Sequence, residues 1–128
     1  MKSDKLNILV VEDNHDNREV MSLFIRGFAS LDFATNGEEA LFKTDRNSYD
    51  IILMDINLGL GITGIDVTRQ LRQSERYKST PIVAVTAYSM VEDQKKIFDA
   101  GCSHYVGKPF TRKELLELIT SISSDYSL

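Results

Sequence analysis

A chain of 128 residues can hold one hydrophobic core and bury roughly 65–70% of its unfolded surface, so one domain is expected. Apolar content of 42%, charged content of 27% and a net charge of −4 describe an ordinary globular protein and give no electrostatic footprint for nucleic acid. One cysteine, Cys102, rules out an internal disulfide and fits a reducing compartment, and no run approaches the ~20 apolar residues of a membrane span. There is no internal repeat, low-complexity tract or Pro/Gly/Ser-rich linker. The expectation is a single cytoplasmic domain over residues 1–128, with its core at about 5–123.

Asn7-Ile8-Leu9-Val10-Val11 is an unbroken apolar run that ends in acid, Glu12-Asp13. Asn14-His15-Asp16-Asn17 comes next, a cluster of turn and cap formers with Asp16 placed to cap a helix. In that helix Val20, Leu23, Phe24 and Phe28 recur at spacings of three and four, and Met21 and Ile25 widen the stripe. Leu31-Asp32-Phe33-Ala34 alternates and reads as a short edge strand. Asn36-Gly37-Glu38-Glu39 opens a second helix, with Asn36 as cap and Glu39 as its capping-box partner. Ala40, Leu41 and Phe42 supply its buried side.

Ile51-Ile52-Leu53-Met54 is a second unbroken apolar run, the pattern of a strand buried on both faces. It stops at Asp55. A carboxylate there is either a functional group or a cap for the next segment. Leu58-Gly59-Leu60-Gly61-Ile62-Thr63-Gly64 holds three glycines and reads as a loop, its apolar residues destined for the rim or for a partner. A helix from about Ile65 to Gln73 buries Ile65, Leu71 and part of Val67. Pro81 to Thr86 is the next buried strand, with its proline at the first position. Ser89-Met90-Val91-Glu92 is a capping box, and Gly101 ends that helix. A short strand, His104-Tyr105-Val106, leads to Gly107-Lys108-Pro109-Phe110. Thr111 and Glu114 box the last helix, which carries Leu115, Leu116, Leu118, Ile119 and Ile122.

Strand and helix thus alternate five times with no hairpin signal. That predicts an α/β fold: a parallel sheet, helices on both faces, and right-handed crossovers. By analogy the order is the flavodoxin-like 2-1-3-4-5. A parallel sheet brings all its strand ends to one edge. Glu12 and Asp13 arrive there from the first strand, Asp55 from the third, Thr86 from the fourth and Lys108 from the fifth. Converging carboxylates need a cation, and oxygen ligands without clustered His or Cys favour Mg²⁺ or Mn²⁺. An ammonium and a hydroxyl beside that ion suit a phosphoryl group. No glycine-rich nucleotide loop is present, which favours a covalent phosphoryl group on a carboxylate, and Asp55 is central to the cluster.

Val11-Glu12-Asp13, Met54-Asp55-Ile56-Asn57, Val85-Thr86-Ala87 and Gly107-Lys108-Pro109-Phe110, in this order, resemble the receiver domain of two-component response regulators. The match runs from Lys5 to about Ile122. Asn14, Asp16, Asn17 and Arg18 add a resemblance to receivers of hybrid sensor kinases. The resemblance implies that Asp55 takes a phosphoryl group from a phosphohistidine on a sensor histidine kinase or a histidine phosphotransfer protein. It implies Mg²⁺ held by Asp13, Asp55 and the carbonyl of Asn57, with Glu12 acting through a water. Lys108, ahead of a cis Lys108–Pro109 bond, is implied to pair with the phosphoryl oxygens. Thr86 bonds the same group, Tyr105 turns inward, and the surface of the fourth helix, last strand and last helix changes. Gly59 stands where the family commonly has proline, in a loop one residue longer than usual. Tyr88 is large for its position, and its ring is expected to shield the acyl phosphate from water.

Two other functions compete. An aspartyl-phosphate hydrolase uses similar groups but wants an acid two residues past the nucleophile, where this chain has Asn57. A phosphorylation-independent interaction module would carry a vestigial site, yet no site residue is missing. Slow self-catalysed loss of the phosphoryl group is expected, and turnover of an external substrate is not. His15 and His104 read as surface or structural, Cys102 as a small buried filler, and Asn14, Asn17 and Arg18 as a kinase-docking surface.

Overall fold

The computed structural model describes residues 6–58, 61–87 and 91–128, with side chains from Gln94 onward in the last of these segments. Its elements are β1 (Leu6–Val11), α1 (His15–Ile25), β2 (Ala29–Ala34), α2 (Gly37–Arg46), β3 (Ile51–Asp55), α3 (Gly64–Arg72), β4 (Ile82–Thr86), α4 (Val91–Ala100), β5 (His104–Gly107) and α5 (Arg112–Asp125). All pairings are parallel, in the order β2-β1-β3-β4-β5. The expected fold is the observed one.

The unbroken apolar runs explain the layering. Successive side chains of a strand point to opposite faces, so a run without alternation serves two cores at once. Leu9, Val11, Ile52, Met54, Ile82 and Ala84 pack with Ala40, Val67, Leu71 and Ile97 of α2, α3 and α4. Ile8, Val10, Ile51, Leu53, Val83 and Val85 pack with Met21, Ile25, Leu115, Ile119 and Ile122 of α1 and α5. Every residue of β3 and β4 is buried. The register pairs Val11 with Met54, Asp55 with Val85, and Thr86 with Gly107. The strands therefore finish nearly level, and their carboxyl-terminal residues meet at one edge of the sheet.

Local structure departs from the sequence reading at several points. Asn14, not Asp16, caps α1, its side chain accepting from the Asn17 N–H. Both residues are good caps, but only Asn14 has the extended backbone the position needs. The buried row of α1 is Met21 and Ile25. Val20, Leu23 and Phe28, placed in the core by periodicity, are 42%, 57% and 37% exposed. On α2, Asn36 caps as expected, but Glu39 reaches one residue further back, to Thr35. Phe42 is exposed rather than buried, and the Arg46 guanidinium stacks on its ring at 3.6 Å. α3 starts at Gly64 through a box of Thr63 and Asp66, and Val67 is wholly buried while Ile65 is only partly so. The box of Thr111 and Glu114 on α5 forms as expected. The box proposed at Ser89–Glu92 lies outside the described residues.

In the loop after β3 the described apolar residues pack internally. Leu58 is buried, and Ile62 packs against the α2–α3–α4 core. A Cβ on Gly37 would sit 2.4 Å from Ile62 Cγ1, so glycine at the start of α2 makes room for that loop.

β2 is an edge strand, as expected. Ala34 turns its carbonyl to β1, accepting from Glu12 N–H at 2.9 Å. Its neighbour Phe33 therefore faces the open side. There the Asp32 carboxylate accepts from the Phe33 N–H at 2.9 Å, and the Lys43 ammonium donates to the Phe33 carbonyl. Tyr49 donates to Asp32 at 2.6 Å. These side chains satisfy an edge that would otherwise offer unpaired backbone groups. Among the described residues no helix is long and apolar enough to cross a membrane.

Candidate functional site

Glu12 comes directly after β1 and is 2% exposed. Its Oε2 accepts from the Asn14 N–H at 3.2 Å and its Oε1 from Lys108 Nζ at 3.1 Å. Arg18 Nη1 donates to the Glu12 backbone carbonyl at 2.9 Å. Asp55 ends β3 and is 6% exposed. Its Oδ1 accepts from the Asn57 N–H at 3.1 Å, and its Oδ2 lies 3.6 Å from Lys108 Nζ. Thr86 ends β4 and is buried, and its carbonyl accepts from the Lys108 N–H at 2.8 Å. That bond extends the β4–β5 pairing past Gly107 and fixes the root of the lysine. Lys108–Pro109 is cis.

Glu12, Asp13 and Asp55 each present an oxygen within 4.8 Å of the others. They open into a cleft of about 240 Å³, which Asn57, Thr86 and Lys108 also line. The sheet thus brings together the five residues expected at its edge, with Asn57 beside them. A second cleft of about 400 Å³, lined largely by apolar side chains, adjoins the first between α1 and the β5–α5 segment. Val20, Met21 and Phe110 line it, and Glu12 and Lys108 border both clefts. Periodicity assigns Val20 to the core, so this cleft leaves no trace in the sequence pattern.

The electrostatics come from burial and crowding. Burial, reinforced by the neighbouring Glu12 charge, lifts Asp55 from the usual carboxylate range to about 7, despite Lys108 and the Asn57 N–H. Burial also pushes Glu12 upward, but the Asn14 N–H, the bond shared with Asp55 and the Lys108 charge outweigh it and leave Glu12 lowered. Partial burial and the Glu12 carboxylate raise Asp13. One ammonium cannot neutralise three carboxylates, so Asp55 ionises only as pH rises through the neutral range. Oxygen donors in excess of positive charge, with exposed Asp13 leaving one side open, fit a hard divalent cation.

Other candidates fall elsewhere. Tyr105 is half-buried against the α2–α3–α4 core, and its hydroxyl lies 3.2 Å from where a Gly107 Cβ would stand. His15 is exposed and 3.7 Å from Glu19. His104 begins β5, at the opposite end of that strand from Lys108, where it bonds Ser103 and meets Tyr126. Cys102 is a buried filler whose thiol burial pushes up. Tyr88 lies outside the described residues.

Gly64 is a support that sequence reasoning misses. A Cβ there would stand 2.3 Å from the Asp55 carbonyl oxygen and 3.0 Å from Ile56 Cα. Neither backbone atom can swing aside. Gly64→Ala is therefore expected to cost about 2–3 kcal/mol and to displace Asp55. Urea unfolding checks the first effect and the amide shifts of Asp55 and Asn57 the second; wild-type values for both would show that the loop yields freely.

A doubly wound five-stranded sheet with acid, hydroxyl and ammonium groups at its carboxyl edge defines a class: a flavodoxin-like α/β domain built around a carboxylate cluster. The response regulator receiver domain model matches residues 8–120, and the chain belongs to that family. It is 33% identical over 120 residues to the polar-differentiation response regulator DivK of Brucella anthropi, covering 93% of this chain and 97% of DivK. It is 37% identical over 119 residues to hybrid signal transduction histidine kinase L of Dictyostelium discoideum, covering 88% of this chain but only 7% of that protein. Among solved structures, the receiver domain of the Pseudomonas aeruginosa sensor histidine kinase PA1611, with magnesium in its active-site cleft, superposes with a TM-score of 0.84 at 33% identity, covering 91% of this chain and 96% of that one. Chemotaxis response regulator CheY4 of Vibrio cholerae gives 0.87 at 26% identity, covering 92% and 98%. Receiver domains are signalling switches of two-component systems, working with histidine kinases or phosphotransfer proteins, and are not enzymes in the usual sense.

Proposed function

We propose that this chain is a phospho-accepting switch whose acceptor is Asp55. The observation that supports this most is Lys108 Nζ bridging Glu12 Oε1 at 3.1 Å and Asp55 Oδ2 at 3.6 Å. An ammonium already beside the acceptor can move onto phosphoryl oxygens without crossing the site. Asp55 attacks the phosphorus of a phosphohistidine on a kinase or phosphotransfer protein, the P–N bond breaks, and the electron pair leaves with the imidazole. Asp13, Asp55 and the Asn57 carbonyl would hold Mg²⁺, or Mn²⁺ in its place, with Glu12 acting through a water, and the ion would supply the positive charge the phosphoryl oxygens need. Lys108 pairs with one of those oxygens and Thr86 donates its hydroxyl to another.

The new group carries close to two negative charges. Drawing Thr86 toward it pulls on the segment after β4, and Tyr105 turns inward behind it. The α4–β5–α5 surface then differs between the two states and is read by a downstream partner. The chain catalyses only its own phosphorylation and the slow loss of the group.

Intact mass after incubation with a small phosphoramidate tests the reading. One phosphoryl adduct that requires Mg²⁺ and maps to Asp55 is expected. No adduct at any Mg²⁺ concentration would overturn it in favour of a phosphorylation-independent interaction module.

A further inference from the structure

Asp13 is the one exposed member of the carboxylate cluster. It lies outside regular structure, between the end of β1 and the cap of α1. Such a residue keeps its aim only if its two flanking peptide groups are held. Few ties hold them. The Glu12 N–H is fixed to Ala34 by the sheet, upstream of the peptide that carries Asp13. The Asn14 N–H rests on the Glu12 carboxylate at 3.2 Å. That tie uses the same carboxylate that Lys108 engages, so it weakens whenever Glu12 turns toward another charge.

Arg18 supplies a tie that does not depend on Glu12's charge. Its backbone N–H makes the first helix bond of α1, to the Asn14 carbonyl at 3.1 Å, as any residue at this position would. Its side chain does more: Nη1 donates to the Glu12 carbonyl at 2.9 Å. The guanidinium, anchored in the first turn of α1, thus grips the peptide that leads into Asp13. Its neighbours His15, Asp16, Asn17 and Glu19 are exposed, whereas Arg18 is half-buried. Among the described residues it forms no ion pair, so its guanidinium serves this peptide rather than a carboxylate. The kinase-docking role read for Arg18 from the sequence does not account for this inward bond.

We propose that Arg18 is a positioning residue that presets the Glu12–Asp13 peptide, and with it the Asp13 carboxylate, for a divalent cation. The inference rests on the proposed binding of a divalent cation at Glu12, Asp13 and Asp55. Two effects of Arg18 oppose each other. Its positive charge near the cluster disfavours a cation, while its grip on the carbonyl saves the cation the work of ordering the segment. The inference holds that the grip dominates.

The test is a Mg²⁺ titration of the full chain monitored by two-dimensional amide NMR, on wild type, Arg18→Ala and Arg18→Lys. Arg18→Ala is expected to weaken Mg²⁺ roughly tenfold, the scale seen when a group orienting a metal ligand is removed. Amide exchange at Asp13 and Asn14 should quicken while exchange in β3 and α5 stays at wild-type rates. Lysine, which keeps both a charge and a donor, should recover most of the affinity. Equal or tighter Mg²⁺ binding by Arg18→Ala would show that charge outweighs positioning and would overturn the inference. So would a loss of affinity matched by faster exchange throughout β3, which marks a general loss of stability. If wild type itself binds no Mg²⁺, the cation-binding reading fails first and takes the inference with it.

Discussion

Asp55→Asn is expected to abolish the Mg²⁺-dependent phosphoryl adduct and, at pH 7.5 without Mg²⁺, to stabilise the fold by about 2 kcal/mol. The two effects share one cause. Asp55 is buried, sits against the Glu12 carboxylate and ionises only near 7. In the unfolded chain the same group ionises near 4. Folding must therefore either retain a proton or confine an unwelcome charge, and the cost grows as pH rises from about 4 to 7. One pKa unit corresponds to about 1.4 kcal/mol. The full difference is an upper bound, because the ionised group also draws on Lys108 at 3.6 Å. Asparagine mimics the protonated acid: its carbonyl can keep the Asn57 N–H, and its amide can donate toward Glu12. Thermal unfolding and intact mass, measured on the same preparation, check both halves. An Asp55→Asn variant that is less stable than wild type, or that still takes a phosphoryl group, would contradict the account of the site.

The fold was legible because the strands announce themselves. Ile8–Val11, Ile51–Met54 and Ile82–Val85 are unbroken apolar runs in the sequence and lie buried between two helix layers in the structure. The chemistry was legible for a related reason: a parallel sheet sends strand ends to one edge, so Glu12, Asp55, Thr86 and Lys108 could be brought together without knowing a distance. Strand order could not be read this way and came from analogy with the flavodoxin-like fold. Helix faces were read less well. In α1 the stripe of Val20, Leu23 and Phe28 satisfies the period as well as Met21 and Ile25 do, and periodicity cannot decide which row meets the sheet. Phe42 failed because stacking under Arg46 gives an aromatic ring a place outside the core. Gly64 and Arg18 left almost no signal. One works by lacking a side chain, and the other through a backbone carbonyl six residues away, and neither makes a pattern of residue types. The same is true of Arg72, whose guanidinium gathers the carbonyls of Gly101, Tyr77 and Thr80 at 2.7 Å each.

Saturating Mg²⁺ is expected to raise the melting temperature by roughly 5 °C at pH 8 and by almost nothing at pH 5. Asp55 is raised to about 7, so between about pH 4 and 7 the folded protein holds more protons there than the unfolded chain, and Asp13 is raised in the same sense. Without Mg²⁺, stability contributed by Asp55 therefore falls as pH rises through that window, and Asp13 adds to the fall. Glu12 acts in the opposite sense: its lowered value gives stability that is present above its ordinary range and lost on acidification. The shift of Asp55, the large one of the three, outweighs it and sets a net decline as pH rises toward 7. A divalent cation replaces the missing positive charge only where the carboxylates are ionised. At pH 5 it must first displace the proton on Asp55, and at pH 8 it meets no such competition. Lys108→Met should steepen the decline without Mg²⁺, because the one ammonium bonded to Glu12 and near Asp55 is then gone. Asp55→Asn should flatten it, because the group with the largest rise no longer titrates. Melting curves from pH 5 to pH 8, with Mg²⁺ and with a chelator, separate these cases. An equal Mg²⁺ shift at both ends of the range would mean that the ion binds somewhere other than this cluster.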